Sequence, residues 1–545
     1  MSPKFTTRRD FLKSTVLAAV AAPLLQVEPL PRAGVSSFAL DEVTIGEMRN
    51  GLENGKFTAR KLAELYFERI KKIDQSGPRL NSVIELNPDT LAIADQLDAE
   101  RRAKKVRGPL HGIPILIKDN IATADKMQTT AGSLALMGSK SPKDSFVAAR
   151  LRAAGAVILG KTNLSEWANF RGEHSTSGWS GRGGQTHNPY ALDRNPSGSS
   201  SGSAVAAAAS LCAVAIGTET DGSIVSPCSL NGLVGIKPTV GLVSRAGIVP
   251  ISHTQDTAGP IARTVADAAA LLTALAGIDE NDDATAASRG HSEAHYTKFL
   301  NPSGLKGARL GVVRKLAGFN RHVDRVFEEA LAALKHAGAE IIDPVEITAI
   351  GKVDAPELQV LQFEFKADLN KYLAWLGPNT QVHTLKEVIE FNERNAAREM
   401  PYFGQELMQK SEAKGELSSA DYQKALADCR RLSRAEGIDR TMEKHKLDAL
   451  VAPTDSPAWL TDFIDGDHFS GSSSTLPAVA GYPHITVPMG EVFGLPVGIS
   501  LFGRAWSEVT LIKLAHAFEQ MTKARKPPRF LASVQIGSAQ LERRS

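Results

Sequence analysis

Two serines in glycine-rich loops are the side chains of this chain whose setting most suggests covalent chemistry. Ser199 and Ser223 lie in separate Gly/Ser loops, joined by an alanine-rich run, 204–211, and an apolar run, 213–216. Alanine favours a helix, and a short apolar run is of strand length. Such a loop–helix–strand–loop unit can bring both serines to one end of a sheet. A serine hydroxyl attacks a carbonyl carbon only with the help of a base.

Two residues elsewhere could serve as that base. Lys118 follows the apolar run 113–117, which predicts a buried strand, and precedes the turn-forming Asp119 and Asn120. A lysine at a strand end is commonly solvated, so its position alone does not identify a base. His174 stands alone in a polar loop, where a histidine is usually a surface residue.

Familiar site patterns fit this stretch poorly. A phosphate-binding loop of the Walker type ends in Gly-Lys-Ser/Thr, and Gly202-Ser203-Ala204 has no lysine. The run 198–202 spells G-x-S-x-G, but a nucleophile elbow needs an apolar strand before it and a histidine after it. Here His174 lies upstream, so we interpret the match as chance. The pattern alone leaves a flexible connection and a functional loop both open.

A longer comparison favours the functional loop. The stretch 195–227 resembles the signature of the amidase signature family of serine hydrolases, and 231–239 continues that likeness. The run 112–120, GIPILIKDN, resembles the family's lysine motif. Ser197 and Ser201 depart from the pattern, because the family has glycine at both positions.

The resemblance implies roles for particular residues. Ser223 would be the nucleophile, Ser199 a bridging serine that follows a cis Gly198–Ser199 bond, and Lys118 the neutral base. Backbone N–H groups would form the oxyanion hole at Thr220, Asp221, Gly222 and Ser223, and the loop residues Asn169 and Ser175 are predicted to contact substrate. The mechanism requires no metal and no cofactor.

The resemblance also implies the fold. It predicts one α/β domain over 40–530, with a mixed central β-sheet covered by helices on both faces. A helical insertion at about 359–445 is rich in aromatic residues, which could be core packing or a cap over the site. Residues 531–545 are predicted to form a loose tail. Length alone would suggest several domains, but no linker-like stretch divides the middle of the chain.

The N-terminus predicts export. The run 7–13 matches a twin-arginine signal, and the apolar run 16–25 is too short to span a bilayer. We expect 1–39 to be a signal peptide, cleaved after Ala39 or Ala21, and the enzyme to be periplasmic or secreted. Five basic and two acidic side chains in 1–39 account for the net charge of +3 of the whole chain. The remainder is near neutral, which predicts no nucleic-acid partner.

Further likeness to bacterial peptide amidases, at 177–185, 226–227, 403–407 and 481–483, predicts hydrolysis of the C-terminal amide of peptides. The alternatives are an amidase for small aliphatic or aryl amides and an amidotransferase A-type subunit that needs partners. We expect a small-molecule or peptide amide substrate, no stable membrane insertion and no obligatory protein partner. Three cysteines make a poor disulfide framework, so no structural disulfide is expected.

Overall fold

Strands from nearly the whole length of the described sequence form a central β-sheet. The computed structural model describes residues 38–534, apart from the side chain at position 379. The strands are β1 Val83–Leu86, β2 Pro114–Lys118, β3 Val157–Thr162, β4 Trp179–Ser180, β5 Gly184–Gln185, β6 Val214–Glu219, β7 Val234–Lys237, β8 Thr257–Ala262, β9 Arg309–Val312, β10 Glu340–Ile342, β11 Ala449–Pro453, β12 His484–Val492 and β13 Leu495–Phe502.

Helices connect most of these strands. The α-helices are α1 Ile45–Glu53, α2 Ala59–Arg69, α3 Thr90–Arg102, α4 Phe146–Ala153, α5 Ser201–Ala208, α6 Val225–Leu230, α7 Val265–Leu275, α8 Arg321–His336, α9 Asp354–Leu376, α10 Leu385–Arg394, α11 Ala396–Glu399, α12 Glu406–Glu412, α13 Ala420–Arg430, α14 Asp439–His445, α15 Thr475–Ala480 and α16 Glu508–Thr522. Short π-helical segments extend α2 (Ile70–Asp74) and α13 (Arg431–Ile438).

The main sheet is mixed, as predicted, with helices over both faces. Its strand order is β1-β3-β2-β6-β8-β7-β12-β13-β11-β9-β10, and β4 and β5 pair separately. The central strands β2, β3 and β6 are parallel and fully buried. Near-continuous apolar runs such as 113–117 are expected of strands covered on both faces.

Parallel pairing of β2 with β6 positions the serine loops. Ile117 on β2 is opposite Ile216 on β6, so the next residues of both strands emerge at the same edge of the sheet. Helix α5 returns the chain from the first Gly/Ser loop to β6 and packs on β2 and β6. Lys118 and both loops therefore meet at one edge.

The helical insertion begins earlier than expected, with α9 at Asp354. Its buried Phe365 and Tyr372 pack with Trp167 and Phe170 in a second hydrophobic core, where the rings of Phe170 and Phe365 are 5.1 Å apart. These aromatic residues are core packing. Leu361 on the same helix reaches the cleft described below, so the insertion also forms part of its wall.

The ends of the described region are fixed by packing. The ring of Phe38 lies 5.9 Å from that of Tyr66, and Leu40 is buried. Leu531, the first residue of the predicted tail, pairs with Ala191. The twin-arginine run and residues 535–545 lie outside the described residues. Between 38 and 534, no helix is long and apolar enough to cross a membrane. Cys212, Cys228 and Cys429 are buried and free.

Candidate active site

A buried lysine amine lies among hydroxyl groups at the end of β2. Lys118 Nζ is 2.8 Å from Ser199 Oγ, 3.1 Å from Ser200 Oγ and 2.9 Å from Thr218 Oγ1. It also lies 3.2 Å from the Thr218 carbonyl oxygen. The side chain has no exposed surface, contrary to the usual position of a strand-end lysine. Its hydrogen-bonding capacity is met entirely by neutral groups.

The charge state of this amine follows from its burial. Burial lowers the pKa of Lys118 to about 7, although the more distant carboxylates of Asp256 and Glu219 oppose the shift. Within residues 38–534, no carboxylate lies at ion-pair distance from Nζ. A lysine without a counter-ion in a dry site favours its neutral form. At and above neutral pH, this amine can therefore accept a proton.

The first Gly/Ser loop holds Ser199 against that amine. The Gly198–Ser199 peptide bond is cis, as the resemblance implied. A Cβ at position 198 would come 2.2 Å from Ser165 Oγ, so only glycine fits there. The Ser200 N–H donates to the Ser223 carbonyl at 3.2 Å, which joins the loop directly to the second one. The predicted pair of serines is thus brought together at the sheet edge.

The second loop presents a row of backbone N–H groups. Gly222 adopts a φ of +76°, a conformation that glycine takes without strain, and turns the chain into Ser223. Within the described part of the chain, the N–H groups of Thr220, Asp221, Gly222 and Ser223 donate to no protein acceptor. Unpaired N–H groups beside a hydroxyl nucleophile are what an oxyanion hole requires.

Buried carboxylates hold this turn in place, and the sequence reasoning missed them. The Glu219 carboxylate accepts from the N–H groups of Ile224 and Val225 at 2.7 and 3.0 Å. Thr220 Oγ1 donates to Asp256 at 2.6 Å. Burial raises the pKa of Glu219, and that of Asp256 to about 6. Glu219 ends strand β6, and a carboxylate at the end of a buried strand was the available signal, whereas Asp256 is close only in the fold.

A second hydrogen-bond chain explains one departure from the family pattern. Ser197, where glycine is usual, lies 2.7 Å from Ser226 Oγ, and that hydroxyl also bonds the buried carboxyl of Asp455. Burial raises the pKa of Asp455 to about 7. These hydrogen bonds connect the first loop to the end of β11, some 250 residues away in sequence. The extra serine hydroxyl is therefore used structurally. Ser201, the other departure, donates to the Ser197 carbonyl at 2.6 Å.

A cleft of about 520 Å³ opens onto Ser223. Both predicted substrate contacts, Asn169 and Ser175, line it, and Ser175 Oγ donates to Asn169 Oδ1 at 2.8 Å. The loop between β11 and α15, together with the first residue of α15, also lines the cleft through residues that the sequence reasoning did not single out: Trp459, Asp465, Asp467, Phe469, Ser472, Ser474 and Thr475. That segment lacks a recognisable motif, apart from its high content of Ser, Asp and Gly.

His174 also lines the cleft, but it forms no hydrogen bond with Ser199 or Ser223 in the region described. A nucleophile elbow also needs a strand directly before the serine, and here Asn195 and Pro196 precede the loop in place of a strand.

The one group within residues 38–534 with metal-ligand spacing lies away from these serines. His253, Glu364 and Asp368 have ligand atoms within 4.8 Å of one another. Glu364 already accepts from Tyr422 OH at 2.6 Å and Thr254 Oγ1 at 2.9 Å. His253 Nδ1 is 2.9 Å from Asp368. The group therefore links α9 to the loop before β8 by hydrogen bonds.

Comparisons with known proteins agree with the amidase-like site described above. A family model described as amidase matches residues 62–512. The crystal structure of the native peptide amidase of Stenotrophomonas maltophilia is 50% identical with a TM-score of 0.87, and the match covers 91% of this chain and 100% of that one.

Two curated relatives show the range of related proteins. A probable amidase of Arabidopsis thaliana is 45% identical over 506 residues, 91% of this chain and 93% of the relative. The A-type subunit of the glutamyl-tRNA(Gln) amidotransferase of Symbiobacterium thermophilum is 35% identical over 481 residues, 86% of this chain and 94% of that relative.

Proposed function

Since the chain belongs to the amidase signature family, we propose that it hydrolyses the C-terminal amide of peptides through an acyl-enzyme on Ser223. The observation that carries the proposal is the buried Lys118 amine 2.8 Å from Ser199 Oγ, whose pKa burial lowers to about 7. The chain is a hydrolytic amidase; the mechanism and the peptide substrate are the proposed parts.

Proton transfer begins the reaction. The Ser223 hydroxyl gives its proton to Ser199 Oγ as the proton of Ser199 passes to Lys118 Nζ. Ser223 Oγ then forms a bond to the amide carbonyl carbon. The carbonyl oxygen becomes an oxyanion, which the unpaired N–H groups of the Thr220–Ser223 turn stabilise. One such donor typically contributes ~10²–10³ in rate.

Ammonia leaves in the next step. The proton held by Lys118 returns through Ser199 to the amide nitrogen as the carbon–nitrogen bond breaks, releasing ammonia and leaving an ester on Ser223. Water attacks this ester and gives a proton through Ser199 to Lys118. The bond between the acyl carbon and Ser223 Oγ then breaks, the proton returns through Ser199 to Ser223 Oγ, and the peptide acid leaves. The same three side chains therefore serve both half-reactions.

The peptide substrate is supported by the likeness to a peptide amidase over almost the whole chain and by the open, polar cleft beside Ser223. The volume of about 520 Å³ leaves room for a peptide chain. An amidotransferase function is the weaker alternative, because the identity to such proteins is lower.

The experiment uses the purified chain and one N-acetylated dipeptide amide. We expect ammonia and the peptide acid in equal amounts, from the chain alone. Simple aliphatic and aryl amides should react more slowly. Faster hydrolysis of the simple amides would replace the peptide proposal with a general amidase, and activity only after a partner is added would favour the amidotransferase.

The nucleophile is tested by covalent labelling. Wild-type enzyme should add one acyl group from a serine-directed inhibitor, Ser223→Ala should add none, and the cleft variant Ser472→Ala should be labelled normally. A folded Ser223→Ala protein that is still labelled within the cleft would assign the nucleophile to another serine.

We also propose export by the twin-arginine route, on the pattern of residues 7–13. Changing Arg8 and Arg9 to Lys should retain the enzyme in the cytoplasm, measured by cell fractionation. Normal export of that double variant would refute the proposal. Because the ring of Phe38 packs against that of Tyr66, and cleavage after Ala39 would remove it, we favour cleavage after Ala21.

A further inference from the structure

The charges that line the cleft are of one sign. Four carboxylates border it, those of Glu173, Asp221, Asp465 and Asp467, whereas none of the described residues lining it is a lysine or an arginine. Hydrolysis turns a neutral amide into a carboxylate, so this charge disfavours the product relative to the substrate.

Three of the four carboxylates are already bonded to protein donors. Asp467 accepts from Ser177 Oγ at 2.5 Å and from Trp459 Nε1 at 3.2 Å. Glu173 pairs with Lys410 at 2.5 Å. Asp221 accepts from Thr475 Oγ1 at 2.7 Å. These groups fix the cleft wall.

Asp465 differs from the other three. Its backbone N–H donates to Asp462 Oδ1 at 3.1 Å, but its own carboxylate has no hydrogen bond or ion pair in the part of the chain that the structure describes. The side chain is exposed, so its charge is not penalised by desolvation. A free carboxylate at the edge of a substrate cleft is available to a cation on the substrate.

The loop that carries Asp465 is held in place. Thr176 Oγ1 donates to the Asp462 carbonyl at 2.6 Å. A Cβ at Gly466 would come 2.7 Å from the His174 carbonyl oxygen, so the two segments are in close contact. Asp465 therefore has a fixed backbone position next to the segment that carries Ser175.

Aromatic rings accompany this carboxylate. Trp459 and Phe469 line the same cleft with their rings 6.3 Å apart, edge to face, and Phe469 is 55% exposed. Lysine and arginine side chains pack their methylene groups on apolar surfaces and place their charge at polar groups or over aromatic rings. The cleft thus offers both of the contacts that a long cationic side chain uses.

We propose that the cleft selects peptide amides with lysine or arginine at or next to the residue that bears the amide, and that Asp465 is the specificity-determining residue. This inference rests on the proposed peptide amidase function and names its preferred substrate class.

Two series of N-acetylated dipeptide amides test the proposal. In one series the amide-bearing residue is Lys, Gln or Glu, and in the other the residue before it varies in the same way. We expect kcat/KM to fall from Lys to Gln to Glu in at least one series, by about tenfold in total, and the difference to shrink in high salt. Equal values across both series would overturn the charge preference.

Variants assign the preference to one side chain. Asp465→Asn should reduce the ratio of kcat/KM for the Lys peptide to kcat/KM for the Glu peptide by about threefold or more. Glu443→Gln removes an equal charge from an exposed position on α14 and should change nothing. An unaltered ratio in Asp465→Asn would remove Asp465 from the proposal. If no peptide amide is hydrolysed at all, the proposed function itself is wrong, an outcome distinct from hydrolysis without charge preference.

Discussion

Lys118 and Lys161 are two buried lysines on neighbouring parallel strands, and only one of them faces the serines. Both have no exposed surface. Burial lowers the pKa of Lys118 to about 7 and that of Lys161 to about 8. By burial and pKa alone, either amine could be a base.

Their partners separate them. Lys118 Nζ contacts the hydroxyls of Ser199, Ser200 and Thr218, whereas Lys161 Nζ donates to the Ile121 carbonyl at 2.5 Å and to Thr129 Oγ1 at 2.8 Å. The charges of Asp119 and Asp125 also raise the pKa of Lys161 against the effect of burial. Lys161 fixes the segment after β2, and Lys118 alone contacts a serine that can relay a proton. A lowered pKa becomes catalytic only next to a proton donor.

The largest expected effect comes from changing the charge chemistry of Lys118. Arginine keeps its proton at every working pH, so Lys118→Arg should lose ~10²–10⁴ in kcat, the range of general base catalysis. Lys118→Met should be equally inactive. Circular dichroism should show that both variants are folded. A folded Lys118→Arg enzyme with near wild-type kcat would mean that Lys118 is a structural cation and not the base.

Ser200 should have an intermediate effect. Its hydroxyl lies 3.1 Å from Lys118 Nζ and donates to the Thr218 carbonyl at 3.1 Å. Ser200→Ala removes one neutral partner of the amine, and we expect kcat to fall about fivefold, since one hydrogen bond contributes roughly 1 kcal/mol. Ser203→Ala, in the first turn of α5, removes a hydroxyl bonded to the Ile216 carbonyl and should reduce stability alone. Equal losses of kcat in the two variants would contradict this distinction.

The smallest effect on activity is expected at Lys161. Lys161→Met removes two buried hydrogen bonds, to the Ile121 carbonyl and to Thr129 Oγ1, so the free energy of unfolding should fall by about 1–3 kcal/mol. The kcat per folded molecule should stay within about threefold of wild type. Thermal melting and active-site titration measure both quantities. A loss of kcat as large as that of Lys118→Met, in folded protein, would mean that burial rather than contact with the serine relay defines the base.

The parts of the site that are local in sequence could be predicted. Lys118, both serines and the cis bond before Ser199 follow from motifs, and strands β2, β3 and β6 follow from apolar runs. Strand β8, Thr257–Ala262, was missed because Gly259 and Pro260 weaken its strand pattern.

Long-range contacts set the remaining limits. Asp256 and Asp455 contact the serine loops only in the folded protein, and no sequence motif near either residue predicts that contact. The burial of Lys118 also could not be read from its position at a strand end. It results from α5 and two loops closing over the sheet edge. The aromatic residues of the insertion left packing and cap functions open, because sequence does not tell which face of α9 meets the cleft.

The pH dependence of kcat/KM for an uncharged N-acetylated dipeptide amide shows directly whether Lys118 acts as a neutral base. Burial lowers the pKa of Lys118 to about 7, so the amine is protonated below that pH and neutral above it. We expect a rate that rises with pH through about 7 and then levels off toward pH 9. A rate that is flat from pH 5 to 9, or that falls as pH rises through 7, would contradict a neutral Lys118 base.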